Sequence, residues 1–150
     1  MSRTAFATVD PQMLKIAAVI DRYGMNVVHV GEGCDCPVCH EAPVAPAEWF
    51  GYTIGLTELG HPELVVRGLG GRETAALLGR WGDLVLGGEP LDAGHLLCEG
   101  PAGTTWELVP VHRPRRILRW ADLYYGAGTE EVSALELIPA RRPCPCGTCS

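Results

Sequence analysis

Phe50-Gly51-Tyr52-Thr53-Ile54-Gly55-Leu56 and Glu63-Leu64-Val65-Val66-Arg67-Gly68-Leu69 decide the fold. Both runs are short, rich in β-branched and aromatic residues and bounded by glycine or proline, which marks them as strands. Gly51 and Gly55 lie four apart, on one strand face, where glycine signals a bend or the close approach of a ligand or another backbone. Thr57-Glu58-Leu59-Gly60-His61-Pro62 joins the strands as a loop. Gly68-Leu69-Gly70-Gly71 then leads into residues 72–86, where Ala75, Leu78, Trp81, Leu84 and Val85 recur at helical spacing despite Gly79 and Gly82.

On the N-terminal side, Asp10-Pro11 is a helix start, and Met13, Ile16, Ala17, Ile20 and Tyr23 follow one helical face up to a stop at Gly24. Met25 to Val30 reads as a strand, and residues 31 to 48 as a loop with Pro43 and Pro46. On the C-terminal side, His95–Glu99 and Thr105–Val111 read as strands around a Gly-Pro-Ala-Gly turn. Ile117–Tyr125 reads as a short helix ending at Gly126, and Ala134–Ile138 as a last strand. The sum is an α+β fold: one domain of about six mostly antiparallel strands with two or three helices.

The chain has 150 residues, 47% hydrophobic and 20% charged, a globular composition long enough for a real core. The formal charge of −6 weighs against a protein that coats nucleic acid, since phosphate binding is dominated by positive charge. There is no apolar run long enough to span a bilayer and no signal-peptide core at the start, so a cytoplasmic location and no membrane partner are expected.

Six of the seven cysteines form two copies of C-x-C-x-x-C: Cys34-Asp35-Cys36-Pro37-Val38-Cys39, followed by His40, and Cys144-Pro145-Cys146-Gly147-Thr148-Cys149. A C-x-x-C turn lets two sulfurs converge on one ion, and two such turns supply the four thiolates of a structural zinc site. Cys36, Cys39, Cys146 and Cys149 make the simplest site. Cys34, Cys144 and His40 are alternates, or ligands of a second ion. Because 104 residues separate Cys39 from Cys144, the metal would staple the 140–150 tail to the 31–48 loop. An iron–sulfur cluster, disulfides and labile thiols are the competing readings. Cys98 stands alone and reads as a small buried hydrophobe.

The middle of the chain resembles a known family. Tyr52-Thr53-Ile54-Gly55-Leu56, then Gly60-His61-Pro62-Glu63-Leu64-Val65-Val66 and Gly68-Leu69, is similar to the signature of the bacterial and phage domain-of-unknown-function family 4262. Tyr124-Tyr125-Gly126 and Ala134-Leu135-Glu136-Leu137 are similar to its C-terminal half. The resemblance covers roughly residues 10 to 139 and implies no assigned activity, and the cysteine clusters lie outside the shared motif. The strand–loop–strand–helix order from 50 to 86 also resembles a flavin-reductase-like split barrel, a likeness of architecture that carries no function.

His61 and Glu63 flank Pro62 and, with Tyr52, form the candidate catalytic set. A His and a carboxylate two apart can share a metal or act as general acid and base. The plainer account is a turn fixed by Pro62, with His61 bonded locally and Glu63 in solvent. Tyr52, Thr53 and Tyr124 either line a pocket beside them or pack in the core. Arg113, Arg115, Arg116 and Arg119 form a basic cluster for phosphate, nucleic acid or an acidic partner, or else a solvated face. Three functions follow: a zinc-binding domain with a ligand or partner surface near His61, a small enzyme with a His61/Glu63 pocket using a flavin or nucleotide, and a nucleic-acid-associated regulator. A small ligand or a protein is the expected partner ahead of nucleic acid.

Overall fold

The computed structural model describes residues 11–31, 45–99, 103–126 and 132–140. Among the described residues six strands, β1 (Asn26–Val30), β2 (Phe50–Ile54), β3 (Glu63–Arg67), β4 (Leu96–Cys98), β5 (Thr105–Pro110) and β6 (Ala134–Pro139), form one sheet. Their order across it is β1-β2-β3-β6-β5-β4. Every pairing is antiparallel except β3 with β6, which is parallel. Two meanders, one from each half of the chain, therefore meet at one central parallel seam.

Among the described residues three helices cover the sheet: α1 (Pro11–Tyr23), α2 (Gly71–Leu86) and α3 (Arg119–Tyr125). Alternate residues of each strand face opposite ways, and the two sets pack differently. Leu64, Val66, Leu135, Leu137, Leu108 and Leu97 join Leu77, Leu78, Trp81 and Val85 of α2. Val28, Tyr52, Ile54 and Val65 join Met13, Ile16 and Ile20 of α1 and Ala121, Tyr124 and Tyr125 of α3. With helices on both faces, the first four residues of β3 are buried, which explains its near-continuous apolar reading.

The sheet is not closed, and among the described residues β1 and β4 are its edges, so the split-barrel likeness does not hold. Burial is achieved by helices on each face rather than by closing the strands on themselves. The second and third predicted strands end earlier than read, at Ile54 and Arg67. Gly55 has φ of +130° and leaves the ladder, so it shares no strand face with Gly51. At Gly51 the close neighbour is α2: an added Cβ would lie 2.3 Å from the Thr74 methyl. Gly68-Leu69-Gly70-Gly71 is a strand-to-helix turn, with Gly70 as the N-cap of α2.

The register divides the sheet into two ends. Val30, Phe50 and Arg67 are level with one another, and Val66 is level with Leu137. Pro139 is level with Trp106 and Leu97, and Thr105 with Cys98. β1, β3, β4 and β6 thus all finish at the same end. Asn26, Ile54, Glu63 and Ala134 lie at the other.

Candidate functional site

The family-like motif lies at the second end, and its centre is Glu63. This residue opens β3 with a fully buried side chain. The turn after β2 wraps around its carboxylate. Oε2 accepts hydrogen bonds from Thr57 N–H at 2.9 Å, the Thr57 hydroxyl at 2.7 Å, the Tyr125 hydroxyl at 2.8 Å and Gly55 N–H at 3.3 Å. Oε1 accepts from the Thr53 hydroxyl at 2.8 Å and Leu56 N–H at 3.3 Å. Two of the hydroxyl donors are themselves oriented by backbone amides. Thr53 Oγ1 accepts from Leu64 N–H at 2.9 Å, and the Tyr125 hydroxyl from Gly55 N–H at 2.7 Å.

The local sequence explains this cradle. Gly55 turns the backbone so that successive amides point at one place, and an added Cβ there would lie 2.4 Å from the Gly24 carbonyl oxygen. Threonines two residues to either side supply hydroxyls, and a short 3₁₀ turn, Leu56–Leu59, carries the chain back toward β3. Burial pushes the Glu63 carboxyl above the ordinary carboxylate range, and the donors from Thr57, Thr53 and Tyr125 pull it partly back. Burial likewise raises the Tyr125 phenol, reinforced by the neighbouring Glu63 charge and the hydrogen bond to it.

The expectation that Glu63 is solvated is thus overturned. No Lys, Arg or His forms an ion pair with it among the described residues. The sequence reading missed Thr57 and Tyr125 as its partners. The available signal was Thr-x-Gly-x-Thr six residues before the glutamate, whereas Tyr125 comes from 62 positions away.

His61 faces elsewhere. Its Nδ1 donates to the Pro62 carbonyl at 2.7 Å and its Nε2 accepts from Leu91 N–H at 2.9 Å. Those two bonds specify the neutral Nδ1–H tautomer and tie the turn to the segment beyond α2. To bind a metal or take a proton through Nε2, the ring would have to release Leu91. His61 also lines a shallow groove of about 310 Å³ with Leu59, Val85, Leu86 and Pro90. Tyr52 is buried, and its hydroxyl accepts from Trp120 N–H at 3.0 Å. Burial pushes this phenol up to about 12, offset in part by the Trp120 amide and the Arg119 charge. Among the described residues His61, Glu63 and Tyr52 each bond to different partners. The strands β2 and β3 are hydrogen-bonded neighbours, so no cleft opens between them. Tyr124 is a core residue whose hydroxyl reaches Glu58 at 3.4 Å.

The metal-ligand candidates Cys34, Cys36, Cys39, His40, Cys144, Cys146 and Cys149 lie outside the described residues. Among the described residues there is no group of three or more His, Cys, Asp or Glu placed to hold a metal ion. Cys98 departs from its expected role as a buried hydrophobe. It is half-buried at the end of β4 and disulfide-bonded. Arg115, Arg116 and Arg119 line one concave surface, and Arg113 precedes it with a left-handed backbone (φ 55°).

An open mixed sheet with helices on both faces, its leading loop folded around a buried carboxylate, defines an α+β domain in which the motif residues hold the fold. The chain belongs to the family described as Domain of unknown function (DUF4262), whose profile matches residues 19–142. No curated protein and no solved structure matches it. No helix among the described residues is long and apolar enough to cross a membrane.

Proposed function

We propose that this chain is a cytoplasmic zinc-binding domain in which thiolates of Cys36, Cys39, Cys146 and Cys149 tie the 31–48 loop to the 140–150 tail. A partner surface lies beside His61. The observation that carries this reading is the shared end of the sheet. β1 delivers the chain to Gly31, three residues before Cys34, and β6 delivers it to Ala140, four residues before Cys144. Those exits are three strand spacings apart, roughly 14 Å. The connecting residues can reach about 10 Å and 14 Å when extended, so the two clusters can meet without disturbing the sheet. Zinc binding then supplies folding free energy, on the order of 10 kcal/mol in small zinc peptides. The groove beside His61 supports the partner surface, because it is mostly apolar and Leu59 at its rim is 57% exposed.

One observation favours a second reading. Cys98 ends at the same end of the sheet and is disulfide-bonded, as expected if the cysteines form a thiol–disulfide system instead. Metal content per chain, measured on protein purified without chelator alongside a free-thiol titration, separates the two. One or two zinc ions per chain with masked thiols is the expected result. No metal, with thiols missing from the titration until a reductant is added, would sink the zinc reading and establish the disulfide one. A colourless preparation is also expected, since iron–sulfur gives brown and flavin yellow. If the metal is the staple, chelation speeds hydrogen exchange in 31–48 and 140–150 and leaves β2 and β3 protected.

A further inference from the structure

The segment leading out of β5 gathers positive charge on a rigid base. Pro114–Arg116 form a 3₁₀ turn, and α3 follows at Arg119. Arg115, Arg116, Arg119, Asp122 and Leu123 fall on one side of this stretch and line a concavity of about 560 Å³. The backbone beneath them is held from below. Leu118 and Ala121 are fully buried, Leu118 N–H donates to the Pro114 carbonyl at 2.8 Å, and Trp120 N–H is fixed on the Tyr52 hydroxyl.

Charge in the concavity is left unbalanced. Asp122 Oδ1 takes Arg115 Nε at 3.4 Å. Among the described residues no ion pair occupies Arg116 or Arg119. Three guanidinium groups against one carboxylate give a local charge of +2, in a chain whose formal charge is −6. Packed guanidinium groups repel one another, and a compact dianion relieves that repulsion while accepting bidentate hydrogen bonds. Leu123, 54% exposed, adds an apolar wall, and Asp122 adds an acceptor for a hydroxyl or amine.

We propose that this concavity binds the phosphate monoester of a small organic molecule, with Arg116 and Arg119 on the phosphate and Leu123 and Asp122 on the organic body. A polynucleotide fits less well. Its successive phosphates need a basic track, whereas this cluster is confined to five residues and includes a carboxylate. The proposal is independent of the zinc reading.

The test is calorimetric titration of the full chain with inorganic phosphate, adenosine monophosphate, adenosine and a twelve-residue oligothymidylate at fixed ionic strength. Saturable one-to-one binding of phosphate and the monophosphate, and none of adenosine, is expected. Arg116→Gln and Arg119→Gln should each weaken monophosphate binding by about tenfold, and Asp122→Asn should tighten phosphate binding by roughly twofold. Arg22→Gln, far along the chain on α1, should change nothing. Unchanged thermal unfolding of each variant confirms that the fold is intact. Absence of phosphate and monophosphate binding at millimolar concentration would overturn the proposal. So would equal losses in Arg22→Gln and the cluster variants. Tighter binding of the oligothymidylate than of the monophosphate would also overturn it, and would make this face a nucleic-acid surface.

Discussion

At the end of the sheet where β3 begins, a fully buried carboxylate is held by donors from both halves of the chain. At the opposite end β4 finishes at Cys98, and β1 and β6 finish shortly before the two C-x-C-x-x-C runs of the sequence, the proposed metal ligands. The first end is complete within the polypeptide: Glu63 collects donors from Thr53, Gly55, Leu56, Thr57 and Tyr125. On the reading proposed above, the second is finished by a metal. The difference separates two meanings of a motif. The Tyr52–Glu63 signature holds an architecture, and the C-x-C-x-x-C pair is where the proposed metal would act.

The comparison breaks most visibly at Glu63. Glu63→Ala leaves several buried donors unpaired and should cost on the order of 4 kcal/mol in urea unfolding. A loss within experimental error would mean that water replaces the carboxylate and that the end is not sealed. Gly55→Ala comes next, at roughly 3 kcal/mol, because its Cβ meets backbone that cannot yield and its φ is left-handed. Tyr125→Phe removes the hydroxyl that links Gly55 to Glu63 and should cost about 2 kcal/mol. His61→Ala, losing two hydrogen bonds at a half-buried site, should cost about 1 kcal/mol and, on the zinc proposal, leave metal content unchanged. Loss of metal in that variant would join the proposed metal site to the end where His61 lies.

The pH dependence sharpens the same contrast. A carboxyl whose folded pKa is raised binds its proton more tightly in the native state. Glu63 therefore contributes stability that is fully present below the unfolded value of roughly 4.3 and is lost as pH rises through its higher folded value. Urea midpoints of the wild type measured against Glu63→Gln should show the wild type gaining relative stability as pH falls through that window. A gap that stays constant with pH would show that the hydrogen bonds cancel the effect of burial.

Much of the architecture is legible in the sequence, because local periodicity and packing agree. α1 occupies Pro11–Tyr23 as read, with Met13, Ile16 and Ile20 buried. α2 survives its glycines because Gly79 faces open space and Gly82 lies against the Met25 sulfur. The role of Glu63 is not legible, because a glutamate after His-Pro reads as solvent-exposed or catalytic on local grounds. Its burial is decided by Tyr125, brought from the other half of the chain by the β3–β6 pairing. The openness of the sheet is likewise decided at long range, by helices placed on both faces. His61 is half legible: its bond to the Pro62 carbonyl is local, while its bond to Leu91 spans thirty residues.

The central parallel seam also sets an order of assembly. Each meander closes mostly through pairings near in sequence, but β3 and β6 are separated by 66 residues and bear the longest chain closure in the sheet. That ladder should form late, after both meanders. The Tyr125 hydroxyl on Glu63, and Glu63 N–H on the Ser133 carbonyl at 2.9 Å, then act as a latch thrown after the halves have met. Tyr125→Phe should accordingly speed unfolding far more than it slows folding.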